Sequence, residues 1–193
     1  MDMKLTLCGY LQAQRDTVLW KLEGVAERDL RMPMTASGTN LLGLVKHLAG
    51  LEAEYFCDCL GHPCTDALPW RSETAEPNAD MWATAEESPE QVVEVYRQVQ
   101  ARTDTLVADL PLDAPAHVPW WDPQDTTLHR LLVHMIAETA RHAGHMDILR
   151  ETVDGQRGLL MTVSNLPDVD DAWWRAHVAR LRSVAENARS RQG

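Results

Sequence analysis

The sequence predicts an all-α protein: a four-helix bundle with a long connection between its second and third helices and an extra helix at the C-terminus. Three observations predict it. Apolar residues recur at three- and four-residue intervals through four long stretches. Segments rich in Pro and Gly separate those stretches. No segment shows the strict alternation of a half-buried strand.

The first stretch runs from about Leu5 to Leu30, with Leu7, Leu11, Val18, Leu22, Val25 and Ala26 in helical register, and Pro33 with the polar TASGTN segment ends it. The second starts after Asn40, a side chain suited to cap a helix, and runs through LLGLVKHLAGLEAEYFCDCL to Gly61. An irregular stretch from His62 to about Glu86 follows, with Pro63, Pro69, Pro77, Trp70 and Trp82. The third opens at Ser88-Pro89, a cap with Pro at the first helical position, and ends at Pro111. The loop PLDAPAHVPWWDPQD leads to the fourth, from Thr127 to about Thr152. A fifth, shorter helix spans about Asp170 to Ala188, and the tail 187–193 is expected to fray. The connection between the second and third helices is long enough to cross the bundle rather than turn straight back.

At 193 residues the chain fits one domain, 1–193, with enough length to bury a sizeable core. A formal net charge of −11 excludes a nucleic-acid partner, which needs a basic surface, and argues against an anionic membrane. No run approaches the ~20 apolar residues of a membrane span. MDMKLTLCGYLQAQRD lacks the apolar region of a secretory signal, so a cytoplasmic location is expected. Three of the four cysteines cluster with His62 in FCDCLGHPC. A zinc knuckle is one reading, but Cys57-x-Cys59 departs from the usual spacing and Cys64 follows the helix end. Reduced thiols, buried or incidental, are the expected state of Cys8, Cys57, Cys59 and Cys64.

The chemistry concentrates in LHRLLVHMIAETARHAGHMDILRE. Leu131, Met135, Glu138, His142, His145 and Leu149 follow the spacing of a packed helix seam, yet three of them are polar. A buried carboxylate must be paired or metal-bound. Glu138 and His142, four residues apart, project from one helix face. His47, on the apolar side of the second helix between Leu44 and Leu51, can meet them in a bundle. Two imidazoles and a carboxylate with a position left open match a catalytic zinc set, and Ni²⁺, Fe²⁺ or Mn²⁺ also accept such donors. His145 reads as a fourth ligand or an orienting neighbour. His134 reads as structural. Arg141 and Arg150 read either as a solvated face or as contacts for an anionic substrate or cofactor. Trp121, in VPWWDPQD, reads either as core or as a pocket wall.

NLLGLVKHLAGLEAEYF, LLVHMIAETARHAGHMDILRE and SNLPDVDDAWWRAHVARLRSVA resemble the DinB-like superfamily, and within it the DUF664 branch, over nearly the whole chain. The resemblance implies a four-helix bundle with a metal triad, one ligand from the second helix and two from the fourth. His47 falls at the second-helix histidine and His142 at the last fourth-helix ligand. Glu138 stands where many relatives carry histidine, although a His/Glu/His set occurs in mycothiol-dependent, maleylpyruvate isomerase-like members. The implied activity is transfer of a low-molecular-weight thiol, mycothiol or bacillithiol, to an electrophilic small molecule, with zinc, nickel or iron as the implied metal. Relatives are often dimers, so a homodimer is the implied assembly. Two other functions remain compatible with the residues. One is a hydrolase or isomerase using metal-bound water, with His145 or His134 as its base. The other is a non-catalytic protein with a caged metal.

Overall fold

The computed structural model describes residues 2–63 and 68–189, the side chains through 188. Among the described residues six α-helices form: α1 (Met3–Trp20), α2 (Glu27–Arg31), α3 (Leu41–Phe56), α4 (Pro89–Asp109), α5 (Leu128–Asp154) and α6 (Asp171–Arg189). Their starts follow local chemistry. The Asp2 carboxylate accepts from Lys4 N at 2.8 Å, and Asn40 Oδ1 accepts from Gly43 N at 2.8 Å. Ser88 and Gln91 form a reciprocal capping box, with Pro89 just inside the helix. Gly155, at φ 79°, closes α5.

The first helix is shorter than expected. It ends at Trp20 rather than Leu30, because Gly24 turns the chain at φ 73° before α2 begins. Arg150, on α5, caps that end by donating to the Lys21 carbonyl at 2.9 Å. Lys21 itself is buried and reaches Asp147 and the Gly158 carbonyl, each at 2.7 Å.

Four helices make the bundle. α1 packs on α5, and α3 packs on both α4 and α5. Contacts fix their directions. Leu11 shares a core cluster with Leu131 and Leu132, whereas Val18 and Leu22 share another with Ala143 and Met146, so α1 and α5 run parallel. His47 lies near His142 and Tyr55 near His134, so α3 runs against α5. Lys46 meets Glu87 just before α4, and Glu52 meets Thr103 farther along it, so α3 and α4 run together. Parallel neighbours require the chain to return along the whole of α3, about 24 Å at 1.5 Å per residue. The expected long crossover supplies that return.

A buried ion pair ties three helices together. Arg15 donates to both Glu52 oxygens, at 2.9 and 2.7 Å, and to Asp104 at 2.7 Å, with Arg15 and Glu52 almost wholly buried. The charges offset a desolvation cost that neither could bear alone.

Sequence periodicity indicated no strand, yet the loop before α5 holds a small hairpin. Pro115–His117 (β1) pairs antiparallel with Asp125–Thr127 (β2), with Ala116 opposite Thr126. Three-residue strands are too short to show a period of two. Ala114, Ala116 and Val118 anchor the hairpin in the core. Cys8 and Cys59 are free thiols, as expected, but Cys57 is disulfide-bonded, which corrects the reduced state expected for it. Cys64 lies outside the described residues. No described helix is long and apolar enough to cross a membrane.

Candidate functional site

The crossover is strapped across the start of α3 by hydrogen bonds to its backbone. Asn40 Nδ2 donates to the Met81 carbonyl at 3.1 Å, and Lys46 Nζ donates to the Trp82 carbonyl at 3.0 Å and the Glu87 carboxylate at 2.8 Å. Arg31 donates to the carbonyls of Ala83, Thr84 and Glu87. Gly43 lets the strap come this close, since a Cβ there would stand 1.8 Å from the Met81 carbonyl oxygen. The strap makes a short 3₁₀ turn at Ala79–Met81, and this turn brings Asp80 to His47.

His47 Nδ1 and Asp80 Oδ2 are 2.5 Å apart. A carboxylate on Nδ1 holds that nitrogen as the donor, so in the neutral ring the lone pair is on Nε2. His142 faces His47 across the helix interface, with ring centroids 4.9 Å apart and planes at 77°. Only 12% of the His142 side chain is exposed, and its Nδ1 is buried without a hydrogen-bond partner. Burial first, then the neighbouring His47 and His145, push its pKa down to about 4. His142 is therefore neutral at neutral pH, with a lone pair to give. Glu138 Oε2 lies 3.8 Å from His142 Nε2, beyond hydrogen-bond length, and a neutral imidazole makes no ion pair with it.

Glu138, His142 and His145 do not occupy the buried seam that their spacing suggested. The buried stripe of α5 runs through Leu132, Met135, Thr139, Ala143 and Met146. The three polar residues stand one position earlier, on the edge of that stripe. His142 is mostly covered, Glu138 is partly covered, and His145 is exposed, its ring 5.4 Å from His142. An edge position suits a ligand-accepting site, because it is shielded by the bundle yet open to solvent on one side.

The other candidates separate. Arg141 is exposed on α5. Arg150 is buried, capping α1 and pairing with Asp154, so neither the solvated nor the anion-binding reading applies to it. Trp121 packs against Tyr55 and His134 at ring distances of 5.8 and 4.9 Å, and Arg130 lies over its ring at 4.4 Å. His134 lies one turn before Glu138 in this aromatic wall, about 12 Å along α5 from His142. A cavity of about 170 Å³ adjoins His47, lined by Glu54, Trp70, Arg71 and Asp80. Burial raises the Glu54 pKa against the opposing effect of Arg71.

Asp80 is the residue that sequence reasoning missed. It lies 33 residues from His47 in an irregular segment, where no periodicity could mark its direction. Among the described residues, no three His, Cys, Asp or Glu side chains converge closely enough to hold an ion as arranged. The donors nonetheless fit a divalent ion in kind: two imidazoles, one oriented by a carboxylate and one kept neutral by burial with an orphaned nitrogen, beside a carboxylate.

A family model described as Mycothiol-S-transferase matches residues 6–155. The chain belongs to this family. The mycothiol-S-transferase match runs from α1 to the end of α5, takes in His47, Glu138 and His142, and stops before α6. It agrees with the DinB-like resemblance read from the sequence. A solved structure, a conserved protein from Enterococcus faecalis, is 16% identical with a TM-score of 0.64, covering 81% of this chain and 99% of that one. At that identity the likeness is of fold. No curated protein matches the chain.

Proposed function

We propose that this protein transfers a low-molecular-weight thiol of the mycothiol or bacillithiol class to an electrophilic small molecule, at a divalent metal held by His47, Glu138 and His142. The observation that carries the reading is the His47–Asp80 contact beside the neutral, unpartnered His142. A carboxylate behind one imidazole is the usual support of a metal-ligating histidine. Zinc is the metal proposed first, and nickel or iron suits the same donors.

When bound, the metal would lower the pKa of a thiol and so supply thiolate at neutral pH. The chain's own residues do the rest. Asp80 fixes the His47 ring and its tautomer. Burial keeps His142 neutral. Glu138, on the edge of α5, completes the set by a side-chain rotation. The cavity lined by Glu54, Arg71 and Asp80 would receive the polar body of the thiol, and the Tyr55–Trp121 wall, about two turns beyond His47 along α3, would receive the electrophile. His145 stands beside His142, outside the donor set.

Elemental analysis of untagged protein tests the site. Wild type should carry about one metal ion per chain. His47→Ala and His142→Ala should lose it, and His117→Ala, in the exposed hairpin, should keep it. Metal retained in His142→Ala would refute the donor set. Turnover of an electrophile that proceeds equally well without thiol would move the assignment to hydrolysis or isomerisation.

A further inference from the structure

His47 and His142 stand at one end of a longer trench between the antiparallel helices α3 and α5. His47, Leu51 and Tyr55 succeed one another at four-residue intervals on α3, and His142, Glu138 and His134 do so in the opposite sense on α5. Ring contacts mark both ends, His47 with His142 at 4.9 Å and Tyr55 with His134 at 4.6 Å. These ends lie about 12 Å apart along the helices. Leu51 and Glu138 fall between them, and Leu51 also lines the cavity beside His47.

The far end differs from the metal end. Trp121 packs on Tyr55 and His134, and Trp120 Nε1 donates to the Tyr55 hydroxyl at 3.2 Å. The Trp120 ring is nonetheless 52% exposed, a large flat apolar surface left open. Arg130 is exposed, with its guanidinium 4.4 Å over the Trp121 ring. Stacking on an indole occupies the flat face of a guanidinium and leaves its N–H edge, and that edge is the one that grips a carboxylate with two hydrogen bonds. Among the described residues Arg130 enters no ion pair; Asp125, in the adjoining hairpin, pairs with His117 instead, at 2.9 Å. Burial lowers the His134 pKa against the pull of Glu138, so that ring is neutral at neutral pH and Arg130 supplies the positive charge here.

We propose that Arg130, stacked on Trp121, is the carboxylate anchor of the second substrate, and that this substrate is a flat aromatic electrophile whose carboxylate is remote from the carbon attacked. The assignment rests on the thiol transfer proposed above and names the class of electrophile for it. Length decides the class. A thiolate on a metal at His47 and His142 attacks near one end of the trench, and the anchor lies at the other. Charge agrees, since Glu138 disfavours an anionic group midway and Arg130 favours one at the far end. The aromatic wall adds the preference for a flat ring. A compact acid, with its carboxylate next to the reacting carbon, spans too little of the trench to meet both ends.

Calorimetric titration of the full-length protein with 2-naphthoate, a flat aromatic carboxylate, tests this. Saturable binding is expected, with the uncharged analogue 2-naphthamide about 10-fold weaker or more, as for the loss of a charge-assisted contact. Arg130→Gln, at an exposed position, should weaken naphthoate by about 10-fold, leave naphthamide unchanged and keep the helical circular dichroism. Arg130→Lys should recover only part of that loss, because it restores the charge without the fork. Removing metal with a chelator should leave the naphthoate affinity as it was; a loss would place the carboxylate on the metal and overturn the anchor. No saturable binding of naphthoate, equal binding of naphthoate and naphthamide, or an Arg130→Gln variant that binds naphthoate as wild type does would each overturn it as well. None of these readouts involves thiol transfer, so failure of the anchor and failure of the transferase are seen separately.

Discussion

His47 on α3 and Asp80 on the crossover are 2.5 Å apart, and that contact joins the bundle to the strap that closes over it. The strap is held by backbone carbonyls on one side and by Asn40, Lys46 and Arg31 on the other. The orientation of one imidazole thus depends on the path of a segment with little regular structure.

Asp80→Ala should therefore weaken metal binding by about 10- to 100-fold, the usual effect of losing the carboxylate behind a ligating histidine. Thermal stability of the metal-free protein should change little, since Asp80 is partly exposed. Calorimetric titration of the metal-free protein with zinc measures the first effect. Unchanged affinity would remove Asp80 from the site.

Gly43→Ala should act on the same contact from below. The added Cβ would overlap the Met81 carbonyl, and a backbone atom cannot swing aside. A loss of about 1–3 kcal/mol is expected, as for other overpacked positions. Urea denaturation gives the value. Metal affinity should fall in the same variant, because the strap that carries Asp80 is lifted.

Much of this was legible in the sequence, and the limits have physical causes. The caps at Asn40 and Ser88, the helix spans from α3 to α6 and the crossover all leave local marks. The end of α1 did not, because Leu22, Val25 and Leu30 remain apolar past Trp20 as they turn inward to the core. Heptad-like spacing placed Glu138, His142 and His145 on the seam. That seam, from Leu131 to Leu149, is the edge of a wider buried stripe running through Leu132, Met135, Thr139, Ala143 and Met146, and spacing alone does not tell the edge of a stripe from its centre. Asp80 and the Arg15–Glu52 pair were invisible for another reason. Each depends on two segments far apart in the chain, and neither segment bears a sign of its partner.

Removing one half of that pair should be costly. Arg15→Met leaves the Glu52 carboxylate buried without its main partner, and about 3–5 kcal/mol of stability should be lost. Arg15→Met with Glu52→Leu should recover much of the loss, since no charge is then stranded. Chemical denaturation of the two variants decides it: a double variant no better than the single one would show that the pair's hydrogen bonds to Asp104 and Thr103 matter more than its charge.

The pH dependence of the metal-free protein should carry the mark of His142. Its folded pKa of about 4 lies below the ~6.5 of an unfolded histidine. Between those values the unfolded chain holds more protons at this residue than the folded one. The stability linked to His142 is thus fully present above about pH 6.5 and is lost as pH falls toward 4, by an amount on the order of 3 kcal/mol. His142→Gln should flatten that part of the stability profile. Nuclear magnetic resonance titration of the ring should show it neutral at pH 6.

The one-position offset on α5 has a bearing on how such proteins diversify. Leu132, Met135, Thr139, Ala143 and Met146 hold the helix in place, while positions 134, 138, 142 and 145 lie beside them without being needed for that task. Donor atoms along this edge can be exchanged, histidine for carboxylate or the reverse, with the folding stripe left intact. A single helix thus carries two separable inheritances, one for architecture and one for reactivity, and new chemistry can be tried at the second without endangering the first.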